Sequence, residues 1–164
     1  MNRFDPLGLL RALHQHQVAF VVIGGVASLA HGSPSLTRDL DICYEQSRNN
    51  LEALARMLQE VHAKPRGLNP ELPFRLDAAT LRLGDHFIFS TDLGDLDCLG
   101  TPAGTNGYRD LLRNAVDVPF QDMVIKIVGL EDLMRMKRAA GRPKDLAELE
   151  ILGALRDELE RQAE

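Results

Sequence analysis

Cysteine is scarce in this chain, histidine is scattered, basic residues are outnumbered by acidic ones, and no long apolar run occurs. Each shortage removes a class of protein. Two cysteines, Cys43 and Cys98, are too few for the disulfide framework of a secreted domain and lack the spacing of a zinc site, so a reducing cytosol is the expected compartment. Both are expected to be buried strand residues, not reactive thiols. His31 and His86 stand singly, and His14 with His16 falls on an expected surface helix, so no zinc-ligand pattern emerges. The formal charge of −5 supplies no global attraction to nucleic acid, and any anionic ligand must meet a local basic patch or a metal. The longest apolar stretch, Val18 to Ile23, falls far short of the roughly 20 residues of a membrane-spanning helix, and neither end reads as a signal peptide. A cytoplasmic protein without a membrane partner is the expectation.

What is present points to an ordinary globular domain. A hydrophobic share of 45% excludes a disordered chain. A chain of 164 residues can bury roughly 70% of its unfolded surface, enough for a core without staples. Residues 1–164 are expected to form a single domain, with a core over about 5–128 and a helical segment over about 129–162. No internal repeat or low-complexity tract interrupts it.

Leu7, Leu9, Leu10 and Leu13 predict a helix over 5–16, and the run 18–23 that follows predicts a buried strand. Gly24-Gly25 ends that strand, Val26 to His31 is helix-forming, and Gly32-Ser33-Pro34-Ser35 forms a loop before a strand at Asp39. Leu51, Leu54, Ala55, Leu58 and Val61 predict a helix over 49–62. Pro65, Pro70 and Pro73 make 63–76 a long surface loop, with no role visible in the sequence. Ala79 to Leu83 is ambiguous. His86–Ser90 and Leu93–Leu99 predict an antiparallel pair turning near Thr91-Asp92, followed by a loop over 101–107 and a short helix over 108–114. A strand over 123–128 and a helix over 130–140 come next. Gly141-Arg142-Pro143 breaks the pattern, and a charged helix over 144–160 carries Leu146, Leu149, Leu152 and Leu155 on one side.

The chemistry concentrates in two short acidic clusters, Arg38-Asp39-Leu40-Asp41-Ile42 and Gly94-Asp95-Leu96-Asp97-Cys98. Side chains alternate along a strand, so Asp39 and Asp41 share one face while Leu40 and Ile42 can enter a core. Paired carboxylates repel at close range, and a divalent cation bridging them turns that cost into binding. Magnesium prefers carboxylate and phosphate oxygen, and phosphoryl or nucleotidyl transfer needs such a metal more than it needs covalent help. Asp97, with apolar neighbours on both sides, matches the setting of Asp41 and ranks above Asp95, which follows Gly94. Arg38 is expected on the opposite strand face as a surface charge. The phenylalanines at 20, 74, 87, 89 and 120 are expected in the core.

Gly24-Gly25, thirteen residues, Asp39-Leu40-Asp41-Ile42 and later Leu96-Asp97-Cys98 together resemble the signature of the DNA polymerase beta type nucleotidyltransferase superfamily. Gly25 stands where many members have serine. The C-terminal residues Leu130-Glu131-Asp132-Leu133, Lys137-Arg138 and Gly141-Arg142-Pro143-Lys144-Asp145-Leu146 are similar to minimal bacterial members related to the AbiEii toxin component. The resemblance implies an α/β (α+β) fold, a mixed and mostly antiparallel sheet of about four to six strands packed by helices. It implies Mg²⁺ or Mn²⁺ held by Asp39, Asp41 and Asp97, with Asp97 serving the metal that activates the acceptor or acting as its base. By the same resemblance Gly24, Gly25 and Ser28 meet the triphosphate, and Lys137, Arg142 or Lys144, and Asp145 belong to the active site. The implied reaction moves a nucleoside monophosphate from NTP to an acceptor hydroxyl of tRNA or protein, in a toxin–antitoxin setting with an antitoxin partner. The alternative is a catalytically degenerate nucleotide-binding or antitoxin-like interaction module. A metal-dependent phosphohydrolase lacks the histidines such sites add.

Overall fold

A computed structural model describes residues 3–34, 36–69 and 71–164. Ser35 and Pro70, both placed in loops above, lie outside the described residues. In chain order the elements are α1 (Pro6–Gln15), β1 (Phe20–Ile23), α2 (Gly24–Ala30), β2 (Asp39–Tyr44), α3 (Arg48–Glu60), β3 (Lys64–Pro65) and α4 (Ala78–Arg82). They continue with β4 (His86–Thr91), β5 (Gly94–Leu99), α5 (Tyr108–Leu112), β6 (Val116–Phe120), β7 (Met123–Ile127), α6 (Leu130–Ala140) and α7 (Pro143–Ala163). Among the described residues no helix is long and apolar enough to cross a membrane.

The strands form one mixed sheet in the order β3-β4-β5-β2-β1-β7-β6. Pairs β2–β5 and β1–β7 are parallel, and the other four are antiparallel. The α/β architecture with a mostly antiparallel mixed sheet agrees with the expectation, but the described residues form seven strands. The two additional strands lie at the two edges, and each contains a proline, Pro65 in β3 and Pro119 in β6. Proline has no N–H for a ladder, so it marks an edge strand and hides it from a reading that seeks unbroken apolar runs. The segment 63–76 is therefore not loop throughout, since Lys64 and Pro65 pair with Ser90 and Phe89 of β4. Phe74 then packs edge-on against Phe87 and Phe89, at centroid distances of 6.5 and 6.2 Å. The ambiguous stretch becomes α4, capped by Asp77, whose carboxylate accepts the Thr80 N–H at 2.8 Å.

Alternation along β2 and β5 splits the sheet into two faces. Leu40, Ile42, Leu96 and Cys98 are fully buried, while Asp39, Asp41, Asp95 and Asp97 are half-buried on the other side. The core adds Leu9 and Leu13 from α1, and Leu51, Leu54 and Leu58 from α3. In α7 Leu152 is buried and Leu149 and Leu155 pack on the core, but Leu146 is half-exposed. Steps of three residues drift against a 3.6-residue turn, so a run spaced by threes leaves the buried stripe at its end.

Asn50 in α3 fastens two strand ends. Its Oδ1 accepts the Ala19 N–H at 2.7 Å, and its Nδ2 donates to the carbonyls of Ala19 at 3.0 Å and Glu45 at 2.7 Å. Removing the amide leaves partly buried backbone groups without partners. Asn50→Ala is expected to lower the unfolding free energy by about 2 kcal/mol with an unchanged m value, read by urea titration.

Candidate active site

Parallel pairing of β2 with β5 puts Asp39 opposite Asp95 and Asp41 opposite Asp97, on the face turned away from the core. Asp39, Asp41 and Asp97 each offer a carboxylate oxygen within 4.8 Å of the others'. Among the described residues this is the only such group of three acidic, histidine or cysteine side chains. Its donor set is all hard oxygen, which suits Mg²⁺ or Mn²⁺ and not a soft metal.

The turn from β1 into α2 fits itself around these carboxylates. Ile23 pairs with Asp41, and the next residue, Gly24, has φ of +67°, a conformation that favours glycine. A β-carbon on Gly24 would land on Asp41 Oδ2. The helix begins at Gly24 itself, two residues earlier than the sequence pattern predicts. At Gly25 a β-carbon would lie 2.7 Å from Thr37 Oγ1. The Thr37 hydroxyl donates to Asp39 O at 3.0 Å and thus fills the space a side chain at position 25 would need. Thr37 escapes a sequence reading because only the fold brings it back against the glycine pair. Ser28 is buried, and its Oγ has no hydrogen-bond partner among the described residues although the residue lines the cavity above the carboxylates.

The basic helix end closes the other side. Gly141, in the left-handed region at φ of +65°, caps α6 by donating to Lys137 O at 3.0 Å, and Pro143 starts α7 two residues later. This tight reversal sets Asp145 beside Lys137, with Nζ 3.7 Å from Oδ1. Arg142 grips the same carboxylate through Nε at 2.6 Å and Nη2 at 3.2 Å, and its backbone N–H donates at 3.2 Å. Asp145 is only 1% exposed, so it faces its two cations and not solvent. Glu131 and Asp132 pair with Arg156 and Arg135, leaving Lys137 to the site. A cavity of about 760 Å³ is lined by Gly24, Gly25, Ser28, Asp39, Asp41, Asp97, Lys137, Arg142, Lys144 and Asp145. Arg38 is exposed, as expected of a surface charge, but it also lines the cavity, because it lies in the bend before β2 and not within the strand's alternation.

No family model matches this chain, and no curated protein sequence matches it. Solved structures do. The lincosamide antibiotic adenylyltransferase LnuA, bound to lincomycin, superposes with a TM-score of 0.63 at 13% identity, over 94% of this chain and 99% of that one. A Thermotoga maritima protein, TM1012, assigned to the nucleotidyltransferases by name only, matches at a TM-score of 0.54 and 17% identity, over 98% and 97%. The antibiotic-resistance factor ANT(2″)-Ia, in complex with adenylyl-2″-tobramycin, matches at 0.52 and 13%, over 95% of each chain. The fold is that of the nucleotidyltransferases.

Within this nucleotidyltransferase fold the carboxylates carry an electrostatic conflict. Burial, then the charges of Asp39 and Asp97, push the Asp41 carboxyl up to about 7, with Lys137 pulling the other way. Burial also raises Asp97, opposed by Arg66. Burial works against ionised Asp145 too, but the Arg142 hydrogen bonds prevail and hold its carboxyl below the usual range. Arg66, just past the edge strand β3, is the second residue that the sequence conceals. Its Nη1 donates to Asp95 Oδ2 at 2.7 Å and its Nη2 to Asp97 Oδ1.

A carboxyl that holds its proton more tightly when folded makes the folded state less stable as pH rises, here from 3.8 to about 7. Below that window both states are protonated, and above it both are ionised with the full penalty in place. The melting temperature in chelator is therefore expected to fall as pH rises through this range, and Asp41→Asn is expected to flatten the fall in thermal melts.

Proposed function

We propose that this chain is a divalent-metal-dependent nucleotidyltransferase that moves a nucleoside monophosphate, first of all AMP from ATP, to a hydroxyl of a small acceptor. The observation that carries the reading is the meeting of Asp39, Asp41 and Asp97 with the Gly24 turn and Lys137 in one cavity. In the reaction the acceptor oxygen attacks the α-phosphorus, the bond to the bridging β-phosphate oxygen breaks, and pyrophosphate leaves. The acceptor proton passes to Asp97 or to water beside it.

Asp39, Asp41 and Asp97 would hold Mg²⁺ or Mn²⁺, which supplies charge neutralisation of the triphosphate and a lowered pKa for the attacking hydroxyl. The backbone of Gly24 and Gly25 admits phosphate closely because neither carries a side chain, and the unpaired Ser28 hydroxyl supplies a donor beside it. Lys137 neutralises charge on departing pyrophosphate, with Arg142 and Lys144 at the cavity wall. Asp145 is a positioning residue for Lys137 and Arg142, since it is buried behind them.

For the acceptor, two supports favour a small molecule over tRNA or protein. LnuA is named a lincosamide antibiotic adenylyltransferase, ANT(2″)-Ia holds adenylyl-2″-tobramycin, both match over nearly their whole lengths, and the −5 charge gives no field for a large polyanion. Transfer to tRNA or protein, with an antitoxin partner, is the reading that the C-terminal resemblance implies. A degenerate binding module is disfavoured by the intact acidic triad.

Incubation with α-labelled NTPs, Mg²⁺ and a cell extract separated into small molecules, RNA and protein tests these readings together. Label is expected in the small-molecule fraction, and label in RNA or protein would transfer the assignment to those acceptors. Asp39→Asn with Asp41→Asn is expected to reduce incorporation by at least about a hundredfold. Equal labelling by both proteins would refute catalysis at the triad.

A further inference from the structure

Arg66 follows an edge strand in a proline-bearing segment, yet it is firmly placed. Its backbone N–H donates to Ile88 O at 2.9 Å, Lys64 and Pro65 pair with β4, and Phe74 anchors the segment further along. Ile88 stands opposite Asp97, and Asp97 opposite Asp41, so Arg66, Ile88, Asp97 and Asp41 fall in one row across the sheet. The guanidinium spans the two acids of β5, one on each side of Leu96, and its side chain is only 28% exposed. A fork that takes Asp95 with one nitrogen and Asp97 with the other is geometry that lysine cannot reproduce.

We propose that Arg66 is the positioning residue of the third carboxylate, and that Asp95 serves the site through Arg66. Asp95 holds the guanidinium, the guanidinium holds Oδ1 of Asp97, and Asp97 keeps its other oxygen for metal and acceptor. Outer partners that orient a ligating carboxylate matter nearly as much as the ligand itself. The arrangement explains why two acids alternate on β5 while the triad uses one of them. It rests on the transferase reading for its effect on turnover, and on the placement of the guanidinium beside Asp97 for its effect on a bound cation.

Those two effects have opposite signs, which separates a positioning role from a structural one. Arg66 repels any divalent cation at the triad, and one unit charge a carboxylate away changes affinity by about tenfold even at the dielectric of water. Removing it is expected to tighten metal binding while loosening Asp97 and slowing transfer. Mn²⁺ titration followed by electron paramagnetic resonance, beside steady-state transfer kinetics, reads both in the folded full chain. Arg66→Met is expected to bind Mn²⁺ about tenfold tighter and to turn over at least about tenfold more slowly, with KM for NTP within about twofold. Arg66→Lys keeps the charge but not the fork, so its Mn²⁺ affinity is expected to stay near wild type while turnover falls. Asp95→Asn is expected to slow turnover without tightening Mn²⁺.

Unchanged or weaker Mn²⁺ binding by Arg66→Met overturns the proposal, as does unchanged or faster turnover, which would make Arg66 a lock on the site. If the wild type transfers nothing, the transferase reading fails by itself. The Mn²⁺ comparison of wild type with Arg66→Met then still decides whether the guanidinium faces the triad.

Discussion

Three carboxylates held within reach of one another in a half-buried cavity repel when ionised, and the surrounding structure is arranged around that cost. Parallel pairing of β2 and β5 creates the contact, since it aligns Asp41 with Asp97 in register. The same alternation buries Leu40, Ile42, Leu96 and Cys98 on the reverse face, so the core that stabilises the strands also fixes the acids. Sliding one strand by a residue would send the acids into the core and the leucines into the cavity. The register is therefore defended by the whole hydrophobic interior, and the electrostatic cost at the site is sustained by packing elsewhere.

Cations from separate parts of the chain answer this charge. Lys137 comes from α6 and is steadied by Asp145 across the Gly141 reversal, while Arg66 follows the edge strand and reaches Asp97 along the sheet row. Neither cation is itself free, because each is already paired with an acid. Fixed pairs of this kind set a field before any ligand arrives, which is what the proposed transfer requires of a cavity in a chain of net charge −5.

The sequence makes the acids, the glycine pair and most of the central strands legible, because period-two alternation and a diglycine after an apolar run are local signals. Asp97 separates from Asp95 by its neighbours alone. What local signals miss is long-range. Thr37 matters only because α2 folds back on the strand that follows it, and Arg66 matters only because β3 joins the sheet at its edge. Pro65 and Pro119 conceal the two edge strands, since the residue that makes an edge safe from further pairing also breaks the pattern by which a strand is recognised. The helix start at Gly24 was hidden for a related reason, glycine being a poor helix former that is required there by the closeness of Asp41.

The central claim is that this conflict of charges is a metal and nucleotide site. The most direct test is a crystal structure with Mn²⁺ and an ATP analogue that resists cleavage between its α- and β-phosphates, with the metal located by anomalous scattering. The account predicts an anomalous peak coordinated by Asp39 and Asp41, and phosphates lying between the Gly24 turn and Lys137. Mn²⁺ and nucleotide bound away from these carboxylates, or a cavity that stays free of both at saturating concentration, would contradict it.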